Sequence, residues 1–234
     1  MGDSDVNRED LLSNIRLWQQ RVGEASARWG GAEICGVSKT IDPETINLAW
    51  EGGIRILGEN RVQELAGKQD ALNPDFEIHL IGRLQTNKVK AAVERVAMIQ
   101  SLDREALALE ISRRAEALGK PMPVLVQVNI AREVQKAGVD EAELIDFLKK
   151  CAALPGLRVQ GLMAIMPIAD DPEDVRPYFR RMRGWFERLR DMDLPGVSMN
   201  TLSMGMSDDA IVAAQEGATM VRLGRALFGA RPKK

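Results

Sequence analysis

The chain of 234 residues has few of the side chains on which many sites depend, with one histidine, two cysteines and one tyrosine. A single histidine excludes multi-histidine metal sites and most histidine-dependent triads. Cys35 and Cys151 are too far apart for a metal-binding or redox motif. There is no apolar run of about 18 residues, and the acidic amino terminus is unlike a signal peptide. We therefore expect a protein of the reducing cytoplasm without membrane contact.

An excess of one charge is also lacking. Lysine and arginine number 32 and aspartate and glutamate 34, for a formal net charge of −2. The basic residues at 233–234 are too few to form an arm, so nothing favours nucleic acid or an anionic membrane as a partner. The hydrophobic fraction of 45% and the charged fraction of 28% are ordinary for a globular protein. No compositional break marks a linker, and we predict a single domain over 1–234.

Strand-like and helical segments alternate along the chain. An amphipathic helix is predicted over 5–29. Eight strand-like runs follow, at 33–39, 54–60, 77–83, 98–103, 123–130, 158–166, 197–205 and 219–224. They start about 20 to 40 residues apart, which is the length of a strand, a crossover helix and two loops. Eight such units favour a closed (β/α)8 barrel over 33–230, with the first helix covering its bottom or side.

Helix-capping residues support these boundaries. Asp42, followed by proline, predicts a helix start. Asn60 and Gln63 have the spacing of a capping box. Ser207 precedes a segment that we expect to be helical and to end at Gly217.

The first predicted strand ends in a lysine. Alternation places Cys35, Val37 and Lys39 on one face of this strand. If that face lines the barrel, the amine lies at the carboxyl-terminal mouth, where such barrels keep their chemistry. A partly desolvated amine has a lowered pKa and attacks an aldehyde or ketone to form an imine. The alternative is a strand-end lysine whose ammonium group is simply in water.

The loops after strands seven and eight offer donors for an anion, where such barrels commonly bind phosphate. The donors are the hydroxyl groups of Ser203 and Ser207 and the backbone amides of Met206, Ser207, Gly224 and Arg225, and Gly205 lets the backbone approach a ligand. An ordinary serine N-cap and a glycine turn are the alternatives. Asp208 and Asp209 would repel a phosphate if they faced it.

Arg222 interrupts the last strand, which otherwise has the composition of a fully buried segment. A buried guanidinium stays charged and needs an acceptor. Either a salt bridge across the barrel interior or a bound ligand would supply one.

Six motifs follow one another along the chain: GVSKT at 36–40, GEN at 58–60, HLIGRLQTNK at 79–88, GLM at 161–163, SMGMSDD at 203–209 and RLGRALFG at 222–229. Over residues 33–231 the chain closely resembles the pyridoxal phosphate homeostasis protein family, also called proline synthetase co-transcribed homologues. The resemblance implies a single TIM barrel of the alanine racemase N-terminal domain type, which is fold-type III among pyridoxal phosphate proteins.

The resemblance also implies the cofactor and its ligands. Lys39 would carry pyridoxal 5′-phosphate (PLP) as a Schiff base, Arg222 would face the pyridine nitrogen, and Asn60 would line the mouth. The phosphate would contact Ser203, Gly205, Met206, Ser207, Gly224 and Arg225. Lys136 matches another family motif, after strand five, and is a candidate second lysine. Two residues depart from the common pattern, with Arg83 where proline is frequent and Arg225 where threonine is frequent.

By this resemblance the protein binds PLP for intracellular homeostasis and delivery without catalytic turnover. PLP-dependent apo-enzymes are candidate partners, and a monomer or weak homodimer is expected. An amino-acid racemase is the alternative, but it needs a second acid–base group, and the single tyrosine, Tyr178, lies in a helical segment. A class I aldolase acting through Lys39 is a third class, for which only Glu59 and Lys136 offer an acid–base partner.

Overall fold

Eight parallel strands close into a barrel in which each strand pairs with its neighbours in chain order. The structure is a computed structural model and describes residues 8–133 and 137–229. The strands are β1 Glu33–Val37, β2 Ile56–Glu59, β3 Glu77–Leu80, β4 Met98–Leu102, β5 Met122–Val128, β6 Leu157–Ala164, β7 Val197–Ser203 and β8 Met220–Leu223. All eight predicted strands are present, and the predicted (β/α)8 barrel is confirmed.

Helices surround the barrel and connect its strands. They are α1 Arg8–Ser26, α2 Pro43–Glu51, α3 Val62–Ala66, α4 Val89–Val93, α5 Glu105–Ala117, α6 Leu144–Ala152, α7 Arg176–Asp191, α8 Ala210–Gln215 and α9 Arg225–Phe228. Short 3-10 turns occupy Ala27–Trp29, Gln69–Ala71, Thr86–Lys88 and Pro172–Val175. Within the described ranges, no helix has the length and hydropathy needed to cross a bilayer. Since 1–7 and 230–234 lie outside those ranges, the single domain over 1–234 stays a prediction.

The predicted amino-terminal helix covers the side of the barrel where β8 meets β1. Helix α1 packs against α2, α8 and α9. It buries Leu11, Ile15 and Val22 in the main core. The indole Nε1 of Trp29 donates to the carbonyl oxygen of Gln215 at 2.9 Å, which fixes the end of this segment against the last residue of α8.

Side chains alternate between the barrel interior and the layer beneath the helices. Two small apolar clusters are separate from the main core and occupy the interior: Cys35, Ile56 and Met220 in one, and Met98, Leu125 and Met163 in the other. Residues at alternate positions, such as Leu57 and Leu162, belong to the main core. The interior is therefore filled by side chains, and the carboxyl-terminal mouth is where such barrels bind their ligands.

The capping predictions have mixed outcomes. Asp42 caps α2 and accepts a hydrogen bond from the amide of Thr45 at 2.8 Å, as predicted. The capping box at Asn60 is wrong, because Arg61 is the N-cap residue of α3 and its side chain makes no capping bond. The helix expected to follow Ser207 begins only at Ala210.

Gly161 on β6 provides a test of the strand packing. Its φ is +150°, and a Cβ placed there would lie 1.8 Å from the carbonyl oxygen of Thr201 on β7. We expect Gly161→Ala to lower the unfolding free energy by several kcal/mol, because neighbouring strands would have to separate. The control is Gly184→Ala in α7, where an added Cβ meets nothing within 4 Å. This substitution should raise the unfolding free energy by up to about 1 kcal/mol. Urea denaturation measures both, and equal effects would contradict the packing argument.

Candidate functional site

A cavity of about 290 Å³ opens at the carboxyl-terminal mouth of the barrel, between the ends of β1, β2, β7 and β8. Its size is close to the lower end of the ~300–1,000 Å³ range of small-molecule sites. It is lined by Val37, Lys39, Asn60, Ile81, Ile165, Met206, Ser207, Asp208, Arg222, Gly224 and Arg225. The structure thus brings together seven of the residues predicted from the sequence.

Lys39 lies two residues beyond the end of β1, and the backbone around it is tightly held. The amide of Ser38 donates to the carbonyl oxygen of Gly58 at 3.2 Å, which continues the ladder past the strand end. Thr40 has a φ of +65°, an unfavourable region for a β-branched residue. Its amide donates to the Glu64 carboxylate of α3, and this bond holds the strained turn. The lysine therefore projects from a fixed point on the rim.

A buried ion pair supports the same strand end from outside the barrel. The Lys68 Nζ lies 2.7 Å from Oε1 of Glu59 and donates to the carbonyl oxygen of Ser38 at 2.7 Å. The Ser38 hydroxyl donates to the same Glu59 oxygen at 2.5 Å. Burial raises the pKa of Glu59, and the bonds from Lys68 and Ser38 oppose this. Glu59 does not line the cavity, so it is not placed to exchange protons with Lys39 as an aldolase would require.

Arg222 on β8 is 3% exposed and reaches the floor of the cavity from within the barrel. Its Nη1 donates to the Ser203 hydroxyl at 2.7 Å, and its Nη2 donates to the carbonyl oxygen of Ala164 at 2.8 Å. Among the described residues no carboxylate forms a salt bridge with it, so the interior ion pair considered from the sequence is not found. Burial lowers the pKa of Arg222. Neutral oxygens hold the guanidinium, which therefore retains its positive charge towards the cavity.

The contacts of Arg222 continue through the barrel interior. The Ser203 hydroxyl donates to Oε1 of Gln100 at 2.7 Å, and the Gln100 amide lies 2.8 Å from Nδ1 of His79. Nε2 of His79 lies 2.9 Å from the Glu77 carboxylate at the other end of the barrel. His79 is thus a hydrogen-bonded residue of β3.

Cys35 lies beside this chain of hydrogen bonds, and burial raises the pKa of its thiol to about 12. The thiol is therefore protonated and unreactive near neutral pH.

Two residues predicted to contact the phosphate lie beneath the cavity instead of lining it. Ser203 is fully buried, and its hydroxyl is engaged with Arg222 and Gln100. Gly205 has a φ of +90°, and a Cβ there would lie 2.5 Å from the Cβ of Ala213 in α8. Both positions shape the floor of the site, and the glycine is required by helix packing.

Ser207 lies at the centre of the proposed anion end. Its hydroxyl oxygen accepts hydrogen bonds from the amides of Gly224 and Ala226, both at 3.3 Å. The amide of Met206 donates to the Asp209 carboxylate at 2.6 Å. Burial raises the pKa of Asp209, and the bond from Met206 opposes this.

The rim of this end carries Arg225 and Asp208, joined by hydrogen bonds of 2.7 and 3.0 Å. The sequence suggested that the Asp208 charge would repel a phosphate. Arg225, the residue that departs from the family pattern, balances this charge.

Some predicted or suspected residues lie elsewhere. Lys136 lies outside the described residues. Asn129 organises the loop after β5 by exchanging two hydrogen bonds with the backbone of Glu133, at 3.0 and 3.2 Å. Tyr178 on α7 packs partly buried against the main core and does not line the cavity.

Sequence reasoning did not assign four residues of the cavity wall to the site: Val37, Ile81, Ile165 and Asp208. Strand alternation puts Val37 on the same face as Lys39, and this alternation is sufficient to assign Val37 to the site. Ile81 and Ile165 each follow the end of a strand by one residue. The position directly after a strand of the barrel is thus a signal in the sequence that indicates both residues.

Chemically, the cavity combines one primary amine, that of Lys39, with two guanidinium groups and several backbone amides. In the described part of the chain no group of three or more metal-binding side chains is present. The arrangement suits a small ligand with a carbonyl group and an anionic group.

Comparison with known proteins agrees with this chemistry. The family model described as alanine racemase, N-terminal domain, matches residues 6–232. The pyridoxal phosphate homeostasis protein of Aquifex aeolicus is 45% identical over 232 residues, covering 97% of this chain and 99% of that protein. The structure of PipY from Synechococcus elongatus with PLP bound has a TM-score of 0.83 at 33% identity, covering 94% of this chain and 100% of that chain.

The fold extends to more distant proteins. Alanine racemase from Corynebacterium glutamicum has a TM-score of 0.72 at 18% identity, and the match covers 95% of this chain and 62% of that one. At this identity the likeness concerns the fold alone. The matches at higher identity span nearly the full length, and the chain belongs to the pyridoxal phosphate homeostasis protein family.

Proposed function

We propose that this protein binds PLP as a Schiff base on Lys39 and acts in intracellular PLP homeostasis and delivery. The observation that carries the proposal is the cavity in which Lys39, Arg222 and the amides after β7 and β8 meet. Support also comes from relatives that carry the name pyridoxal phosphate homeostasis protein and from PipY, whose structure has PLP bound.

The residues of the cavity fit the chemical groups of PLP. When bound, PLP supplies an aldehyde, and the Lys39 amine adds to it with loss of water. The anion end would be held by Ser207 and the amides of Gly224 and Arg225, with the Arg225 guanidinium at the rim. Arg222 would face the ring nitrogen as a fixed cation, and Asn60 would line the opposite wall. Ser203 would act through Arg222, since its hydroxyl already contacts that guanidinium.

Absence of turnover follows from the side chains near Lys39. A racemase needs two acid–base groups, one on each face of the substrate. Tyr178 lies on α7 away from the cavity, and Asp208 is engaged with Arg225. A guanidinium beside the ring nitrogen also disfavours protonation of that nitrogen, which weakens PLP as an electron sink. The same site is therefore suited to binding and release.

PLP-dependent apo-enzymes are the proposed recipients, and we expect a monomer or weak homodimer in the cytoplasm. Both cysteines are free and buried, and burial raises the pKa of each thiol to about 12. Such thiols suit a reducing compartment, where they pack as small apolar side chains.

The covalent attachment can be mapped directly. Borohydride reduction of the PLP-loaded protein should place the label on Lys39, and Lys39→Ala should abolish the imine absorption band with little loss of stability, since the side chain lies at a strand end. The control is Lys120→Ala, which removes an exposed lysine from the opposite end of the barrel. A label on any other lysine in the wild-type protein, found by peptide mass mapping, would refute the assignment.

The phosphate end predicts discrimination between vitamers. A phosphate dianion is a stronger acceptor than the Ser207 hydroxyl, and hydrogen bonds to a charged group contribute about 1.5–3 kcal/mol each. Loss of two such bonds corresponds to about two orders of magnitude in affinity. PLP should therefore bind at least about 100-fold more tightly than pyridoxal in spectrophotometric titrations. Ser207→Ala should reduce the ratio of PLP affinity to pyridoxal affinity. Ser13→Ala, on the exposed face of α1, should leave this ratio unchanged. Equal affinities for the two vitamers would exclude a phosphate site here.

The absence of a second acid–base group predicts negligible turnover. With PLP bound, racemisation and transamination of common amino acids should proceed far below about 1 s⁻¹, the low end of ordinary enzymes. Chiral chromatography and keto-acid assays measure these rates. A kcat near that value for any of these amino acids would show that the protein is an enzyme.

A further inference from the structure

A second groove lies beside the cavity, on the same mouth of the barrel. It has a volume of about 800 Å³ and is formed by the segments that follow β2, β3 and β4. Its lining includes a small apolar floor of Val62, Leu80 and Leu84. Asn60 lines both the groove and the cavity that contains Lys39, so the two are neighbours across one side chain.

The groove is strongly basic, although the chain as a whole carries a net charge of −2. Four cationic side chains line it: Arg61, Arg83, Lys88 and Arg104. Asp103 is the only carboxylate that the described structure pairs with any of them, at 3.8 Å from Arg83 and 2.5 Å from Arg104. Arg61 and Lys88 have no carboxylate partner within the described ranges. Four cations against one acid create a local positive potential that attracts anions.

Part of this charge is held in place before any ligand arrives. Nη2 of Arg104 donates to the carbonyl oxygen of Leu84 at 2.9 Å and lies 3.3 Å from the Thr86 hydroxyl. Its side chain is only 33% exposed, and that of Asp103 is 5% exposed. A guanidinium fixed in this way loses little conformational entropy on binding, which distinguishes it from a solvated surface arginine.

The shape and chemistry of the groove suit a small phosphate ester. Guanidinium groups match phosphate oxygens with paired, charge-assisted hydrogen bonds, and lysine adds a point charge. The amides of Gln63 and Gln85 also line the walls and offer further donors. A concave volume in the range of about 300–1,000 Å³ is typical of small-molecule sites and unlike the flatter surfaces of protein interfaces. The apolar floor would accept the carbon part of the ligand.

We propose that this groove is a second binding site, specific for a small phosphate monoester, next to the cavity of Lys39. Arg61, Arg83, Lys88 and Arg104 bind the phosphate, and Asn60 separates the two ligands. The site goes beyond the proposed function, because neither Lys39 nor the loops after β7 and β8 contribute to it.

Calorimetric titration of the reduced holo protein tests the site. PLP is first fixed by borohydride, so that the cavity is blocked, and two phosphate esters without an aldehyde serve as probes: pyridoxine 5′-phosphate and ribose 5-phosphate. We expect saturable binding of about one equivalent. Tighter binding of the pyridoxine ester identifies a vitamer as the occupant, and equal or tighter binding of the sugar ester identifies another phosphorylated metabolite. The proposal stands in either case.

Charge-matched variants locate the binding. Lys88→Glu and Arg83→Glu should each lower the affinity for both probes by about tenfold or more, which is the loss expected for one charged contact. Lys120→Glu makes the same change of charge in a concavity at the opposite end of the barrel and should change affinity less than twofold. Circular dichroism checks that each variant is folded. Absence of saturable binding, or equal weakening by Lys88→Glu and Lys120→Glu, would overturn the proposal.

Failure of the proposed function gives a different result. Peptide mapping after reduction would then show PLP away from Lys39, and Ser207→Ala would leave the PLP affinity unchanged. The response of the two esters to Lys88→Glu does not depend on that outcome, so the two hypotheses are tested separately.

Discussion

A guanidinium group buried inside a barrel must be given acceptors, and much of the interior of this protein is arranged to provide them for Arg222. Because arginine can only donate, Ser203 must accept from it and pass its own hydrogen to Gln100. The Gln100 amide then donates to Nδ1 of His79, which leaves the hydrogen of His79 on Nε2, facing Glu77. One arrangement of hydrogens therefore connects the two ends of the barrel, and it orients Arg222 towards the mouth.

A second polar network fixes the mouth from outside the barrel wall. The Glu59–Lys68 pair lies between β2 and α3 and holds the backbone of Ser38, next to Lys39. Burying such a pair contributes little net stability, but removing one partner leaves an uncompensated charge and is costly. We interpret the pair as a restraint on the position of Lys39. Lys68 thus restrains the end of β1 from outside the barrel, while Arg222 inside the barrel is bonded to the ends of β6 and β7.

The fold and the centre of the site were predictable because they depend on local signals. Strand alternation and the spacing of the eight runs identify the barrel, and Lys39 follows from its place at a strand end. The role of Gly205 was not predictable, because its glycine is required by Ala213 in a helix that packs from the other side. The pairing of Lys68 with Glu59 has no periodic pattern either. The basic groove could not be predicted as one site, because its four cations come from three separate loops and only closure of the barrel brings them together.

The hydrogen bonds of Ser207 have a consequence for a protein that must both accept and release its ligand. Its hydroxyl occupies the amides of Gly224 and Ala226, while Asp209 occupies that of Met206. These acceptors satisfy three backbone amides in the absence of a ligand, and a buried amide left without an acceptor would cost about 1–3 kcal/mol. Under the proposed function, binding of the phosphate would exchange these acceptors for oxygens of the ligand. Release of the proposed anion would return these amides to acceptors that the protein itself supplies, so handing over the ligand would not leave them unpaired.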